Sequence, residues 1–334
     1  MSKGDFIMKK IFIKLSIVAL AIGAMLSTTA FADFTDMPCD PEAKTALELA
    51  VQNGLLTGYD TGEIKPYDNI TRAQMAAIVV RAFGATKTAD ISNFADVNET
   101  QWYYDVMSKA VGMEVFQGDG QNLNPESNIT FQEAFAVLAR VFDLQTDYEV
   151  NKLKYDVKLL EERPEKSYPA LQKYADNTNV ASWAIPTTAA IVEGGYWAPA
   201  NMLLRPTEYI NRTEFAILMS NLVQVYIDAP GEYTSLPSAN IVVRANDVKI
   251  NNLKGDIDVF VGDGVESGVE FGKEVDIDRL IIRNGKVLIG GIFNQVRMTG
   301  HSCTTDISAK PTVKIQLYSK YPSESRVSLG VTRM

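Results

Sequence analysis

Apolar residues recur at helical spacing in three separate parts of this chain and at a period of two in a fourth. Ala46, Leu47, Ala50, Val51 and Leu55 share one helical face, and Gly54 supplies the residue free to take positive φ where that helix stops. Met75, Ile78, Val79 and Ala82 form a second stripe, which returns as Phe135, Leu138 and Val141 and again as Phe215, Leu218 and Leu222. Past Asp228-Ala229-Pro230-Gly231 the texture changes. Ile241, Val243, Val248, Ile250, Ile257, Val259 and Val261 alternate with polar residues, and Asn, Gly and Asp clusters punctuate them. The pattern predicts helices first and strands after.

The helical stripes belong to a threefold internal repeat. Each copy opens with an aromatic-x-Asp: Phe34-Thr35-Asp36, Phe94-Ala95-Asp96 and Tyr174-Ala175-Asp176. Each closes on Pro66, Pro125 or Pro206 and then on Thr71-Arg72-Ala73-Gln74, Thr130-Phe131-Gln132-Glu133 or Asn211-Arg212-Thr213-Glu214. From Asp to Pro is 30, 29 and 30 residues, and from Pro to the Thr or Asn is 5 in every copy. Such spacing defines a repeat array, in which no single helix-loop-helix unit covers its own stripe. Thr71, Thr130 and Asn211 are N-cap residues, with Gln74, Glu133 and Glu214 placed as their capping-box partners.

These landmarks, from Phe34 to about Val225, resemble the S-layer homology family, modules that pin exported bacterial proteins to cell-wall polysaccharide. The resemblance implies a mainly α, pseudo-threefold bundle whose grooves bind a secondary wall polymer, with Arg72 and Arg212 meeting a ketal-linked pyruvate or another acidic group. A guanidinium at the first helical turn is mildly disfavoured by the helix dipole, which argues that it is wanted for an anion. A plain salt bridge is the alternative. Asp36, Asp96 and Asp176 are read either as caps of each unit's first helix or as groups that bind sugar hydroxyls or orient the arginine. Trp102 and Trp183 are read either as sugar-stacking indoles or as lids on the core. Gln74, Glu133 and Glu214 complete the candidate ligand-binding set. Two departures stand out: Phe131 replaces the second arginine, and Glu42 or Ala43 occupies the place of the first tryptophan.

Composition narrows the rest. With 334 residues, 46% hydrophobic and 22% charged, the chain holds two or three ordinary domains. Lys9-Lys10, the apolar run Leu15 to Leu26 and Ala30-Phe31-Ala32 read as a signal peptide over residues 1–32, with no membrane span expected after its removal. That removal leaves 28 basic against 40 acidic side chains, a charge of −12, which argues against a nucleic-acid partner. Cys39, Cys303 and the single His301 supply no usual metal site, and no cofactor is expected. The cysteines are read as unpaired or as one long-range bridge.

The predicted organisation is repeats at 33–85, 92–143 and 174–227, a helical insertion at 144–173, a linker at 228–238, a β-module at 239–300 and an irregular tail at 301–334. Val248-x-Ile250-x-x-Leu253 returns 27 residues later as Val275-x-Ile277-x-x-Leu280, which predicts a β-solenoid turned by Gly255, Gly262, Gly285 and Gly290-Gly291. Asp256, Asp258, Asp276 and Asp278 are expected on the wet strand face. The functional expectation is a non-catalytic, exported cell-wall protein associated with peptidoglycan through its polysaccharide. A surface enzyme acting on carbohydrate and a component of the S-layer lattice are the alternatives.

Overall fold

The computed structural model describes residues 34–146, 168–301, 303–307, 316–321 and 323–329. The expected signal peptide and most of the expected helical insertion lie outside the described residues. Among those described, helices occupy the N-terminal part: α1 (Pro41–Gln52), α2 (Arg72–Phe83), α3 (Tyr104–Gly112), α4 (Phe131–Val141), α5 (Ile185–Glu193) and α6 (Arg212–Leu222). Strands follow as β1 (Val225–Ile227), β2 (Gly231–Tyr233), β3 (Ile241–Val243), β4 (Val248–Val261), β5 (Val269–Ile282), β6 (Lys286–Ile289), β7 (Ile292–Met298), β8 (Thr304–Ile307), β9 (Gln316–Ser319) and β10 (Arg326–Leu329).

The second helix of each repeat begins with a complete capping box. Thr71, Thr130 and Asn211 each receive the amide three residues on, while Gln74, Glu133 and Glu214 accept the cap residue's own amide. The next two helical N–H groups find partners in a different repeat. Arg72 and Ala73 donate to the carbonyls of Ser127 and Pro125, Phe131 and Gln132 to those of Glu208 and Pro206, and Arg212 and Thr213 to those of Asp68 and Pro66. Ile70, Ile129 and Ile210 close the pattern. Ile70 N–H donates to Ile210 O, Ile210 N–H to Ile129 O, and Ile129 N–H to Ile70 O, all at 3.0 to 3.1 Å. The helices pair in the same cyclic order, α2 with α3, α4 with α5 and α6 with α1.

The strands form one parallel stack, a β-solenoid whose interior is built of aliphatic columns. Ile241, Val259, Leu280 and Val296 stand in register, as do Val243, Val261, Ile282 and Met298. The residues between these columns face the helices. Val242, Phe260 and Ile281 are buried in the helical core, where Phe260 meets Phe142 and Phe83 at ring-centroid distances of 5.0 and 6.4 Å. Both faces of these strand segments are covered, so Val259–Val261 reads as a continuous apolar run.

Four expectations are corrected here. Val248 pairs with Val269 and Leu253 with Val275, 21 and 22 residues on, so the 27-residue recurrence aligned the wrong neighbours. Residues 231–233 of the expected linker form β2, and strands at 304–307, 316–319 and 326–329 continue the stack through the expected irregular tail. Asp258 is buried rather than wet, held by Arg279 through both carboxylate oxygens at 2.6 and 2.9 Å. Cys39 is exposed and Cys303 buried, both as free thiols, and burial pushes Cys303 up to about 11. Among the described residues no helix is long and apolar enough to cross a membrane.

Charged groups tie the halves at their edges. Arg283 bonds Asp263 and the carbonyl of Met113, and Arg297 bonds Asp143. Glu114 receives Lys320, Tyr321 and His301, and His301 also meets Glu324. Glu114 sits at φ 59°, where the other repeats have Gly54 at 67° and Gly195 at 73°. Its left-handed backbone costs about 1 kcal/mol that a glycine would not.

Two outcomes follow from this joint. Phe260→Ala is expected to cost about 3–5 kcal/mol in denaturant unfolding, since it empties the aromatic contact between the halves. The second outcome is a pH dependence. The Glu114 carboxyl is held near 2 by its hydrogen-bond donors against the cost of burial, so its contribution is complete above 4.5 and fades as pH falls. The bonds to Glu114 and Glu324 raise His301 above 6.5, so its contribution is complete below 6.5 and is lost as pH rises past its folded value. The melting temperature of the wild type should therefore exceed that of His301→Gln most between pH 4.5 and 6.5, by about 2 °C for a part-exposed pair. The gap should close in alkali.

Candidate functional site

Each repeat carries a loop that its own aspartate clamps. Asp36 accepts the amides of Ile64 and Lys65, Asp96 those of Leu123 and Asn124, and Asp176 those of Leu204 and Arg205, all at 2.6 to 2.9 Å. These aspartates do not cap the first helices as one reading expected. Asp40 caps α1, and no side chain caps α3 or α5. The clamp holds Lys65, Asn124 and Arg205 at φ 51°, 53° and 52°, a backbone that side chains rarely adopt. In the first two repeats the opening aromatic packs closely against a glycine: a β-carbon on Gly58 would stand 2.1 Å from Phe34, and one on Gly118 would stand 2.6 Å from Phe94.

The clamped loop presents carbonyls to the preceding repeat's arginine. Arg72 donates Nε to Leu123 O at 2.9 Å, Nη2 to Gln117 O at 3.0 Å and Nη1 to Glu133 at 3.4 Å. Arg212 donates Nε to Ile64 O at 2.7 Å and Nη2 to Thr57 O at 2.9 Å, and is only 5% exposed. Burial pushes the Arg212 guanidinium down, opposed by Tyr59, Asp68 and Asp36. It stays charged, as guanidinium does in proteins. Both arginines thus staple repeats together, and the aspartates orient them indirectly by fixing the peptides they bond.

At the third such junction the arginine is Phe131, fully buried against Trp197 at 5.2 Å between ring centroids. Two substitutions adapt the site to it. The Tyr174 hydroxyl donates to Trp197 O at 3.5 Å, and Arg205 stacks over the Phe131 ring while pairing with Glu214.

Between repeats one and two the arrangement leaves an open groove of about 490 Å³. Arg72, Glu133, Asn124, Asn128 and Arg140 line it, and Trp183 of the third repeat forms one wall. Trp102 and Trp183 are 58% and 54% exposed, so neither is a lid on the core, and their ring surfaces are open to a ligand. Arg140 was not singled out by sequence reasoning, although it falls on the Glu133 face seven residues on. Its Nη1 bonds Val115 O at 3.3 Å, just as Arg81 bonds Leu55 O and Asn221 bonds Tyr196 O in the other repeats. The structure thus brings Arg72, Glu133 and Trp183 into one groove. Arg212, Gln74 and Trp102 lie at the corresponding positions of the next junction.

The sequence profile of the S-layer homology domain matches residues 33–76 and 93–135. This chain is an S-layer homology domain protein. Its first two units carry the match, and its location is the exported, cell-surface one that such domains serve. It is 26% identical over 215 residues to the surface-layer 125 kDa protein of Lysinibacillus sphaericus, covering 63% of this chain and 16% of that one. The surface layer protein of Brevibacillus choshinensis is 30% identical over 134 residues, 37% of this chain and 12% of its own. The exoglucanase XynX of Acetivibrio thermocellus is 21% identical over 187 residues, 55% of this chain and 16% of its own. The S-layer homology protein thus spans about a sixth of the length of the first of these curated relatives. Domains of this kind anchor proteins at the cell surface and bind cell-wall polysaccharide in general.

The aspartate clamps give a direct test of the site's frame. Asp96→Asn replaces one accepting oxygen by a donor and strands a loop amide, which is expected to cost about 1–3 kcal/mol in urea unfolding. Asp105→Asn, which loses only an exposed pair with Lys109, should change stability by less than about 0.5 kcal/mol.

Proposed function

We propose that the chain is a non-catalytic anchor that holds secondary cell-wall polysaccharide in the grooves between its repeats, and that its three units act together as a pseudo-trimer. The observation that carries this reading is the open groove in which a guanidinium, a carboxylate and an exposed indole come from three different repeats. An indole face suits the apolar side of a sugar ring, and guanidinium offers its fork to a carboxylate such as a ketal-linked pyruvate. Asn124, Asn128 and Glu133 supply hydrogen-bonding groups for hydroxyls along the same wall. The third unit reproduces the aspartate clamp and the capping box, which supports counting it with the other two. The charged pairs Asp258–Arg279 and Asp263–Arg283 are engaged in joining the solenoid to itself and to the helices, which supports a presenting role for that half rather than a hydrolytic one.

Retention of the protein on purified sacculi tests the reading, before and after the non-peptidoglycan polymer is stripped. Because Arg72 and Arg212 also staple the repeats, Trp183→Ala is the cleaner probe, its side chain being largely exposed. Retention should depend on the polymer and fall several-fold in Trp183→Ala, in line with about 1 kcal/mol or more for an aromatic contact. Binding to stripped sacculi at full strength would refute the proposal.

A further inference from the structure

The groove between repeats one and two holds a second guanidinium that the repeat skeleton does not announce. Arg140 lies in the last turn of α4, exposed, and lines the same cavity as Arg72. Desolvation pushes its pKa down first and the charge of Arg72 second, so the two cations are close enough to feel each other. The carboxylates beside them are already occupied. Glu133 accepts from Thr130 through one oxygen and from Arg72 through the other, and Asp119 accepts the amides of Gln121 and Asn122. Arg140 itself has one bond, from Nη1 to the Val115 carbonyl, which leaves four of its five N–H donors without a partner among the described residues.

The geometry points to Arg140 as the primary anion-recognising residue of this groove, acting with Arg72 as a pair of guanidiniums for one carboxylate-bearing sugar; this rests on the polysaccharide reading above. Arg72 spends Nε and Nη2 on carbonyls and Nη1 on Glu133, so it supplies charge and an oriented wall. Arg140 has the donors to spare. An anion placed between them relieves the repulsion of two like charges and takes up hydrogen bonds that nothing else in the groove claims. The third repeat shows the contrast: Phe131 and Asn221 stand at the two equivalent places, and the Arg205 guanidinium over the Phe131 ring is already paired with Glu214.

The same repeat supplies the variant. Asn221 makes the carbonyl bond to Tyr196 at 3.1 Å with a neutral amide, so Arg140→Asn removes the charge and leaves a side chain that serves this helix position in a natural copy. The probe is short fragments of the acid-released wall polysaccharide, and the same fragments after their carboxylates are reduced to alcohols, titrated by calorimetry into the full chain. For native fragments, Arg140→Asn is expected to weaken one set of sites about tenfold or more, while Arg140→Lys loses less. Reduced fragments should bind wild type and Arg140→Asn alike. Native fragments that bind Arg140→Asn as tightly as wild type would overturn the inference and leave the anchor reading standing. Equal losses in Arg140→Asn and Arg140→Lys, with a matching fall in melting temperature, would overturn it too by showing a structural role. No binding of either fragment to wild type would instead overturn the anchor reading itself.

Discussion

The first two N–H groups of α2, α4 and α6 point out of their own repeat, and the carbonyls of the next repeat receive them. Every helix begins with donors that its own turn cannot satisfy. The capping boxes here deal with the third N–H and with the cap residue's own amide. The two remaining donors go to the loop that follows Pro66, Pro125 or Pro206 in the neighbouring unit. Docked against its neighbour without these acceptors, each such donor would be buried unmade at about 1–3 kcal/mol, whereas an isolated unit would lose the net worth of the two bonds, about 0.5–1.5 kcal/mol each. The ring of Ile70, Ile129 and Ile210 adds three more such bonds. This explains the fixed five-residue spacing from Pro to the cap: it is the length of loop that both offers carbonyls to one neighbour and starts a helix toward the other. Grooves are a by-product of the same arrangement, because the residue just after the cap must project into the next repeat's loop.

At that projecting position one site accommodates two chemistries. Arg72 and Arg212 satisfy loop carbonyls with a guanidinium, whereas Phe131 fills the equivalent space with a ring and leaves the loop to find other partners. Burying a guanidinium demands that its donors be matched, and the clamped loops match them with two carbonyls each. Phe131 makes no such demand, and its neighbours differ accordingly: Trp197 packs against it, the Tyr174 hydroxyl bonds the Trp197 carbonyl, and Arg205 covers the ring. The third junction is therefore a packed interface, complete in itself, and its departure from the other two is chemically consistent over four positions.

Local features were legible in the sequence and distant ones were not. Capping boxes, helix stripes and the glycine at the end of α1 depend on residues within a turn of each other, and they stand where the spacing placed them. The cap reading of the aspartates failed because their partners lie 27 to 29 residues downstream, and a carboxylate next to a helix looks like a cap when only its neighbours are visible. Rung length was misread for a related reason. Val248, Ile250 and Leu253 carry a short apolar pattern that several later segments share, and pairing alone shows that Val269 is the partner of Val248. The tail escaped notice since strands of four residues carry little pattern. Arg140 could have been found, because seven residues from Glu133 is two helical turns and the same face.

Glu114 shows what the second repeat gives up to hold the solenoid in place. The corresponding residues in repeats one and three are glycines in the left-handed region, the conformation that lets the chain reverse after the first helix. Repeat two adopts the same backbone with a glutamate. A side chain there is a cost of about 1 kcal/mol unless it makes contacts that a glycine cannot, and this one gathers His301, Lys320 and Tyr321 from the strands beyond the aromatic interface. Those contacts sit at the far edge of the joint, where they oppose rotation about the Phe83–Phe142–Phe260 contact that apolar packing alone would allow. Repeat one meets the strands at the same turn through its backbone, the Asn53 carbonyl accepting from Arg244, and so keeps its glycine.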